Sequence, residues 1–261
     1  MKVIVLVFSF LFSSSHLVNA ECINPRDYND SVVMLTGFNE HINKYISGTA
    51  WFYKNSKTLV TAGHVASSLL LSDKWSRLKI QQRKDTVSVS EIQNARLIRI
   101  GNISKASETE LVYLEKYAKE DLAIIELSED FQGAKQLEIS EHHPLNYSLL
   151  YSVAYPEKRL VFAKGQSLPP SLEAEYIGIT YQSMMHINMR NPEMTSGSSG
   201  APILNCHGKA AGIITIQLGD VIVVNQKLPA SGVTIIKRKF EDTTNLAIYS
   251  SFLTELMRRE K

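Results

Sequence analysis

The sequence predicts an all-β chain, built as two β subdomains followed by a terminal α-helix. Three observations predict it. Short runs rich in β-branched and aromatic residues recur between turn signals along most of the chain. The runs fall into two groups, separated by a polar stretch around residues 128–144. At the end the period changes, and Phe252, Leu253, Leu256 and Met257 share one face of a helix.

In chain order, the first group comprises V-V-M-L-T (32–36), T-A-W-F-Y (49–53), T-L-V-T-A (58–62), T-V-S-V-S (86–90), R-L-I-R-I (96–100) and L-A-I-I-E-L (122–127). The second comprises S-L-L-Y-S-V-A (148–154), Y-I-G-I-T-Y (176–181), A-P-I-L-N (201–205), A-G-I-I-T-I (211–216), V-I-V-V (221–224) and G-V-T-I-I (232–236). Many short strands at such spacing argue for a sandwich or barrels. The expected division is 21–135 for the first subdomain and 136–261 for the second. For the helix, Ser250 or Ser251 is available as N-cap, and Arg258 and Arg259 suit the C-terminal end of its dipole.

The first twenty residues read as a secretory signal peptide. Met1-Lys2 gives a basic start, V-I-V-L-V-F-S-F-L-F an apolar run of ten, and V-N-A a cleavage context after Ala20. The run is too short for a hydrocarbon core about 30 Å thick. The expected location is therefore secreted or periplasmic, off the membrane once the signal is removed. Without Lys2 the chain has 27 basic and 26 acidic side chains, a balance that gives no reason to expect nucleic acid. Both cysteines, Cys22 and Cys206, lie in the exported part, and an even count there suggests a disulfide. Closing so long a loop would stabilise the fold by roughly 4–5 kcal/mol in the chain-entropy model.

T-S-G-S-S-G-A-P (195–202) is either a surface linker or a loop carrying a nucleophile. A serine hydroxyl attacks well only when a base takes its proton. His64 is the histidine whose context fits, at the end of the strand in T-L-V-T-A-G-H-V, where small residues present the imidazole. Asp121 directly precedes the apolar strand L-A-I-I-E-L, so its carboxylate lies at a strand entrance beside the core. There it can accept from one ring nitrogen of His64 and leave the other free.

Together T-A-G-H, D-L-A-I-I and G-S-S-G-A-P resemble the chymotrypsin-like (trypsin-like) serine peptidases, in which the order is His, Asp, Ser. I-S-G-T-A-W-F, S-V-A-Y-P (152–156) and T-N-L-A-I-Y (244–249) are similar to segments of the bacterial branch, the glutamyl endopeptidases and periplasmic heat-shock proteases. The resemblance covers roughly residues 32–257. It implies two packed six-stranded Greek-key barrels, with His64 and Asp121 in the first and Ser199 in the second. It implies Ser199 as nucleophile, His64 as base, Asp121 as its orienting acid, and the N–H groups of Gly197 and Ser199 as the oxyanion hole. Ser198 stands where digestive trypsins carry aspartate, so no ion pair with a newly cut N-terminus is expected.

The resemblance leaves specificity open. Glu193 falls at the floor of the primary pocket and favours a basic substrate residue, while Gln217 falls on a wall and would partly fill it. Alternatively, His186 with Thr215 would recognise an acidic side chain. The expected function is a secreted serine endopeptidase acting on proteins or peptides, with no metal and no cofactor. The alternatives are an inactive protease fold used for binding, or an esterase with the same triad. The oligomeric state is not legible.

Overall fold

The structure, a computed structural model, describes residues 22–39, 43–70, 75–84, 87–103, 120–169, 184–191, 194–217, 222–223, 238–239 and 244–259. The expected signal peptide and the strands expected at 176–181 and 232–236 lie outside them.

Two closed antiparallel barrels of six strands form the molecule. The first contains β1 (Val32–Asn39), β2 (Lys44–Phe52), β3 (Thr58–Thr61), β4 (Ser76–Lys84), β5 (Val87–Ile100) and β6 (Ala123–Leu127). A short helix α1 (Gly63–Leu69) follows β3. The second contains β7 (Leu149–Ala154), β8 (Val161–Leu168), β9 (Met184–Asn191), β10 (Pro202–Leu204), β11 (Ala210–Gln217) and β14 (Thr244–Tyr249). A separate two-residue ribbon pairs β12 (Ile222–Val223) with β13 (Arg238–Lys239). Helix α2 (Ser251–Arg258) follows β14. Both barrels share one topology. The first three strands run in sequence, the third pairs with the sixth, and the fourth closes on the first. This is the expected Greek-key pair with a terminal helix.

The strands nearest the seam are apolar on both faces because both faces are buried. In β1, Val33 and Leu35 fill the first barrel with Phe52, Leu59, Ile80 and Ile125. The alternate residues Val32 and Met34 join Trp51, Val60, Tyr151, Val153, Leu246 and Ile248 in a cluster between the barrels. Leu253 and Leu256 of α2 belong to that same cluster, so the helix docks by the face its period predicts. Met257 sits at the exposed edge of that face.

Three expectations are corrected. The runs at 86–90 and 96–100 are not two strands but the ends of the single strand β5. Its polar middle, which neither expected strand covers, pairs in register with β4. Ser250 occupies the N-cap of α2 without capping it, because its hydroxyl donates to the Ser140 carbonyl at 3.4 Å. The residues around His64 form the helical turn α1 rather than a plain turn.

Cys22 and Cys206 are bonded, with an S–S distance of 2.02 Å, across a separation of 184 residues. The bridge fixes the segment before β1 of the first barrel to the turn between β10 and β11 of the second. Tyr28 packs on the same turn at Gly208, whose left-handed φ of 74° and lack of Cβ leave room for the phenol.

Candidate active site

Strand pairing brings His64 and Asp121 together. β3 and β6 run antiparallel with Thr61 opposite Ala123. Continuing that register past both strand ends sets Gly63 and His64 beside Asp121. Oδ2 of Asp121 lies 2.7 Å from Nδ1 of His64, and Oδ1 accepts from the backbone N–H of His64 at 2.7 Å. That N–H belongs to the first turn of α1, where helices leave donors unsatisfied. One buried carboxylate therefore satisfies the helix end and orients the ring. Gly63 permits the approach, since a Cβ there would sit 2.9 Å from Oδ1.

The pair is asymmetric in exposure: the Asp121 side chain is fully buried, whereas 41% of the His64 side chain remains accessible. A carboxylate only accepts, so Nδ1 carries the proton and Nε2 presents its lone pair. Desolvation lowers the affinity of the ring for a second proton. The charge of Asp121 and its hydrogen bond outweigh this, leaving the His64 pKa above its ordinary value.

The loop 195–202 reaches the same place from the second barrel. Gly197 and Gly200 adopt φ of 96° and 90°, conformations that side-chain-bearing residues avoid. Gly200 lies against the Thr49 carbonyl, the Thr61 hydroxyl and Ala62, with its missing Cβ 2.9 Å from the Ala62 nitrogen. The serine loop thus abuts the end of β3, two residues before His64. Ser199 is partly buried, and its Oγ donates to the Thr215 carbonyl at 3.4 Å. Among the described residues no hydrogen bond joins Ser199 to His64, a common state for catalytic contacts in a site without substrate. Ser198 points inward, with its hydroxyl 3.9 Å from the sulfur of Met194.

The expected specificity residues are less well placed. Glu193 lies outside the described residues, as does the side chain of Gln217 at the end of β11. Thr215 is buried, and its hydroxyl donates to the Leu246 carbonyl at 3.2 Å. His186 lies in β9, on the other side of β14 from Thr215, opposite Leu246. Burial lowers its pKa to about 4, so acid recognition there would be by a neutral imidazole.

Thr49, which ties the serine loop to the first barrel, carries no signal of its own in the sequence. A threonine in a strand is ordinary, and its partner Gly197 is 148 residues away. No metal-holding cluster of His, Cys, Asp or Glu occurs among the described residues.

Paired barrels meeting at a His–Asp pair and a glycine-flanked serine define a chymotrypsin-like serine peptidase. A family model described as the trypsin-like peptidase domain matches residues 48–213, and the chain belongs to that family of serine endopeptidases. Curated protein sequences give no significant match. Among solved structures the chain is similar to the active form of the Rv3671c protease from M. tuberculosis, at 11% identity and TM-score 0.54, covering 88% of this chain and 81% of that one. It is similar to a serine endoprotease from Yersinia pestis at 13% identity and TM-score 0.55, covering 90% and 65% respectively. It is also similar to an HtrA-type protease solved with a tripeptide, at 15% identity and TM-score 0.56, covering 88% and 60%. These likenesses concern the fold, and the chain spans under two thirds of the length of the last two.

Proposed function

We propose that this peptidase hydrolyses peptide bonds through an acyl-enzyme formed on Ser199, with His64 as general base and Asp121 as its orienting acid. The observation that carries this reading is the double hydrogen bond from His64 to buried Asp121, in a segment packed against the serine loop. Ser199 Oγ bonds to the substrate carbonyl carbon while its proton moves to Nε2 of His64. Asp121 stabilises the imidazolium so formed. The carbonyl oxygen becomes an oxyanion, held by the N–H groups of Gly197 and Ser199. One such donor is typically worth about 10²–10³ in rate. His64 then returns the proton to the leaving amine as the C–N bond breaks, and a water molecule repeats the steps on the ester.

The bridge between Cys22 and Cys206 supports an oxidising compartment, outside the cytoplasm, consistent with signal removal after Ala20. Each barrel serves as a domain, divided in the connection between β6 and β7 near residue 135. No ion pair with a newly cut N-terminus is expected to complete the site, because Ser198 is uncharged.

A fluorophosphonate applied to the purified protein, with the adduct mapped by mass spectrometry, tests the reading. Labelling at Ser199 that disappears in Ser199→Ala and His64→Ala is expected. No labelling of folded protein would overturn it and point to a binding role for the fold. Labelling with hydrolysis of small esters but of no polypeptide would identify an esterase.

A further inference from the structure

We infer that Thr49 is a positioning residue for the oxyanion hole, the side chain through which the first barrel holds the serine loop in its working shape. The inference rests on the reading of Ser199 as nucleophile given above.

A trans peptide is planar, so the direction of an N–H is set by the bond made by the carbonyl sharing its plane. The N–H of Gly197 shares a plane with the Ser196 carbonyl, which accepts from the N–H of Glu157 at 2.8 Å. The N–H of Ser199 shares a plane with the Ser198 carbonyl, which accepts from Ala201 at 2.9 Å. Among the described residues neither the Gly197 nor the Ser199 N–H has an acceptor. The N–H groups of Ser198, Gly200 and Ala201 are all occupied. Two unengaged donors flanking the nucleophile suit an oxyanion.

Thr49, fully buried in β2, holds the peptide planes that adjoin these two. Its Oγ1 accepts from the N–H of Tyr155 at 3.0 Å. An amide can only donate, so the hydroxyl hydrogen is left for the Gly197 carbonyl, 2.8 Å away. Its backbone N–H donates to the Ser199 carbonyl at 2.9 Å. Thr49 thus fixes the Gly197–Ser198 and Ser199–Gly200 peptide planes, which flank the planes carrying the Gly197 and Ser199 N–H groups. Through Tyr155 it also holds the turn that supplies the Glu157 donor. In that turn Glu157 (φ 47°) and Lys158 (φ 64°) are both left-handed, a conformation that costs energy for residues with a side chain. The turn relies on outside tethers, and Thr49 provides one.

The test compares wild type, Thr49→Val, Thr49→Ser and Ser140→Ala in steady-state peptide hydrolysis and in fluorophosphonate labelling rate. Ser140 is the control: it is buried, its hydroxyl donates to the His142 carbonyl at 2.7 Å, and among the described residues it makes no hydrogen bond to the serine loop. Thr49→Val is expected to lower kcat and the labelling rate about 10–100-fold while KM moves less than about threefold, as for a misplaced transition-state donor. Thr49→Ser, which keeps the hydroxyl, should restore both. Ser140→Ala should lower Tm and leave kcat near wild type. If Thr49→Val does not fold, Thr49→Ala must show the same split between kcat and KM. Wild-type kcat in a folded Thr49→Val or Thr49→Ala, or an equal kcat loss in Ser140→Ala, overturns the inference. Failure of the wild type itself to label at Ser199 overturns instead the reading on which it rests.

Discussion

Asp121 grips His64 twice, accepting from its ring Nδ1 and from its backbone N–H, each at 2.7 Å. The carboxylate therefore sets the tautomer of the imidazole and fixes where the ring stands. Asp121→Asn keeps the shape but replaces one acceptor oxygen with a donor, so one of the two His64 N–H groups loses its acceptor. The ring is expected to adopt the other tautomer, with kcat falling by about 10⁴ while the protein stays folded. Kinetics on a peptide substrate, with circular dichroism as the folding check, measure this. A loss of less than tenfold would mean that another group orients His64.

The same pair determines the pH response. In the proposed mechanism His64 takes a proton only when neutral, and its pKa lies above the ordinary histidine value because Asp121 outweighs desolvation. Activity should therefore rise with pH through a midpoint above that value, and Asp121→Asn should move the midpoint down. Stability runs the other way. The folded state holds the His64 proton more tightly than the unfolded chain. The associated stabilisation is complete below the unfolded histidine pKa and is lost as pH rises through the folded one. A pH–rate profile and urea denaturation at several pH values test both signs. An acid limb that does not move in Asp121→Asn would rule out this origin.

How much of this was legible in the sequence depends on the range of the signal. His64, Asp121 and Ser199 each sit in a short motif beside a strongly apolar strand, and pairing of those strands does the rest. β4 carries little strand signal because S-R-L-K-I-Q-Q-R-K is mostly charged or polar. Only Leu78, Ile80 and Gln82 turn inward, and Gln82 is accommodated by donating to the Asp30 carbonyl at 2.8 Å. β9 fills its barrel with Met185, Ile187 and Met189 and buries His186, a composition that does not read as a strand. The link from Thr49 to Gly197 joins two barrels, and no local pattern encodes such a contact.

The bridge from Cys22 to Cys206 predicts a measurable contribution to stability. It closes a loop of 184 residues, which the chain-entropy model values at about 5 kcal/mol. Replacing both cysteines with serine should lower stability by about 2–5 kcal/mol, the usual range for native bridges. Because the bridge lies away from His64 and Ser199, kcat of the folded variant should stay within about threefold of wild type. Thermal melts of the double variant, and of wild type with and without reductant, give the result. Equal melting temperatures would show that the N-terminal segment is held by its other contacts, among them Tyr28 on Gly208 and Gln82 on the Asp30 carbonyl.

Gly200 offers the sharpest test of how the two barrels meet. Its φ of 90° already disfavours any other residue, and a Cβ there would press into the Thr49 carbonyl, the Thr61 hydroxyl and the Ala62 nitrogen. Two of those atoms are backbone and cannot swing aside. Gly200→Ala must therefore push the serine loop off the end of β3, breaking the bond from Gly200 N–H to the Ile214 carbonyl at 2.7 Å or the one from Thr49 N–H to the Ser199 carbonyl at 2.9 Å. The expected cost is about 3–5 kcal/mol of stability. The move also carries Ser199 away from His64, and a displacement near 1 Å lowers the rate about 10²-fold. Denaturant midpoints and fluorophosphonate labelling of the folded fraction separate the two effects. If Gly200→Ala is stable and labels at the wild-type rate, the loop does not bear on β3 as described, and the contact between the barrels at this point is looser than Thr49 and Ala62 indicate.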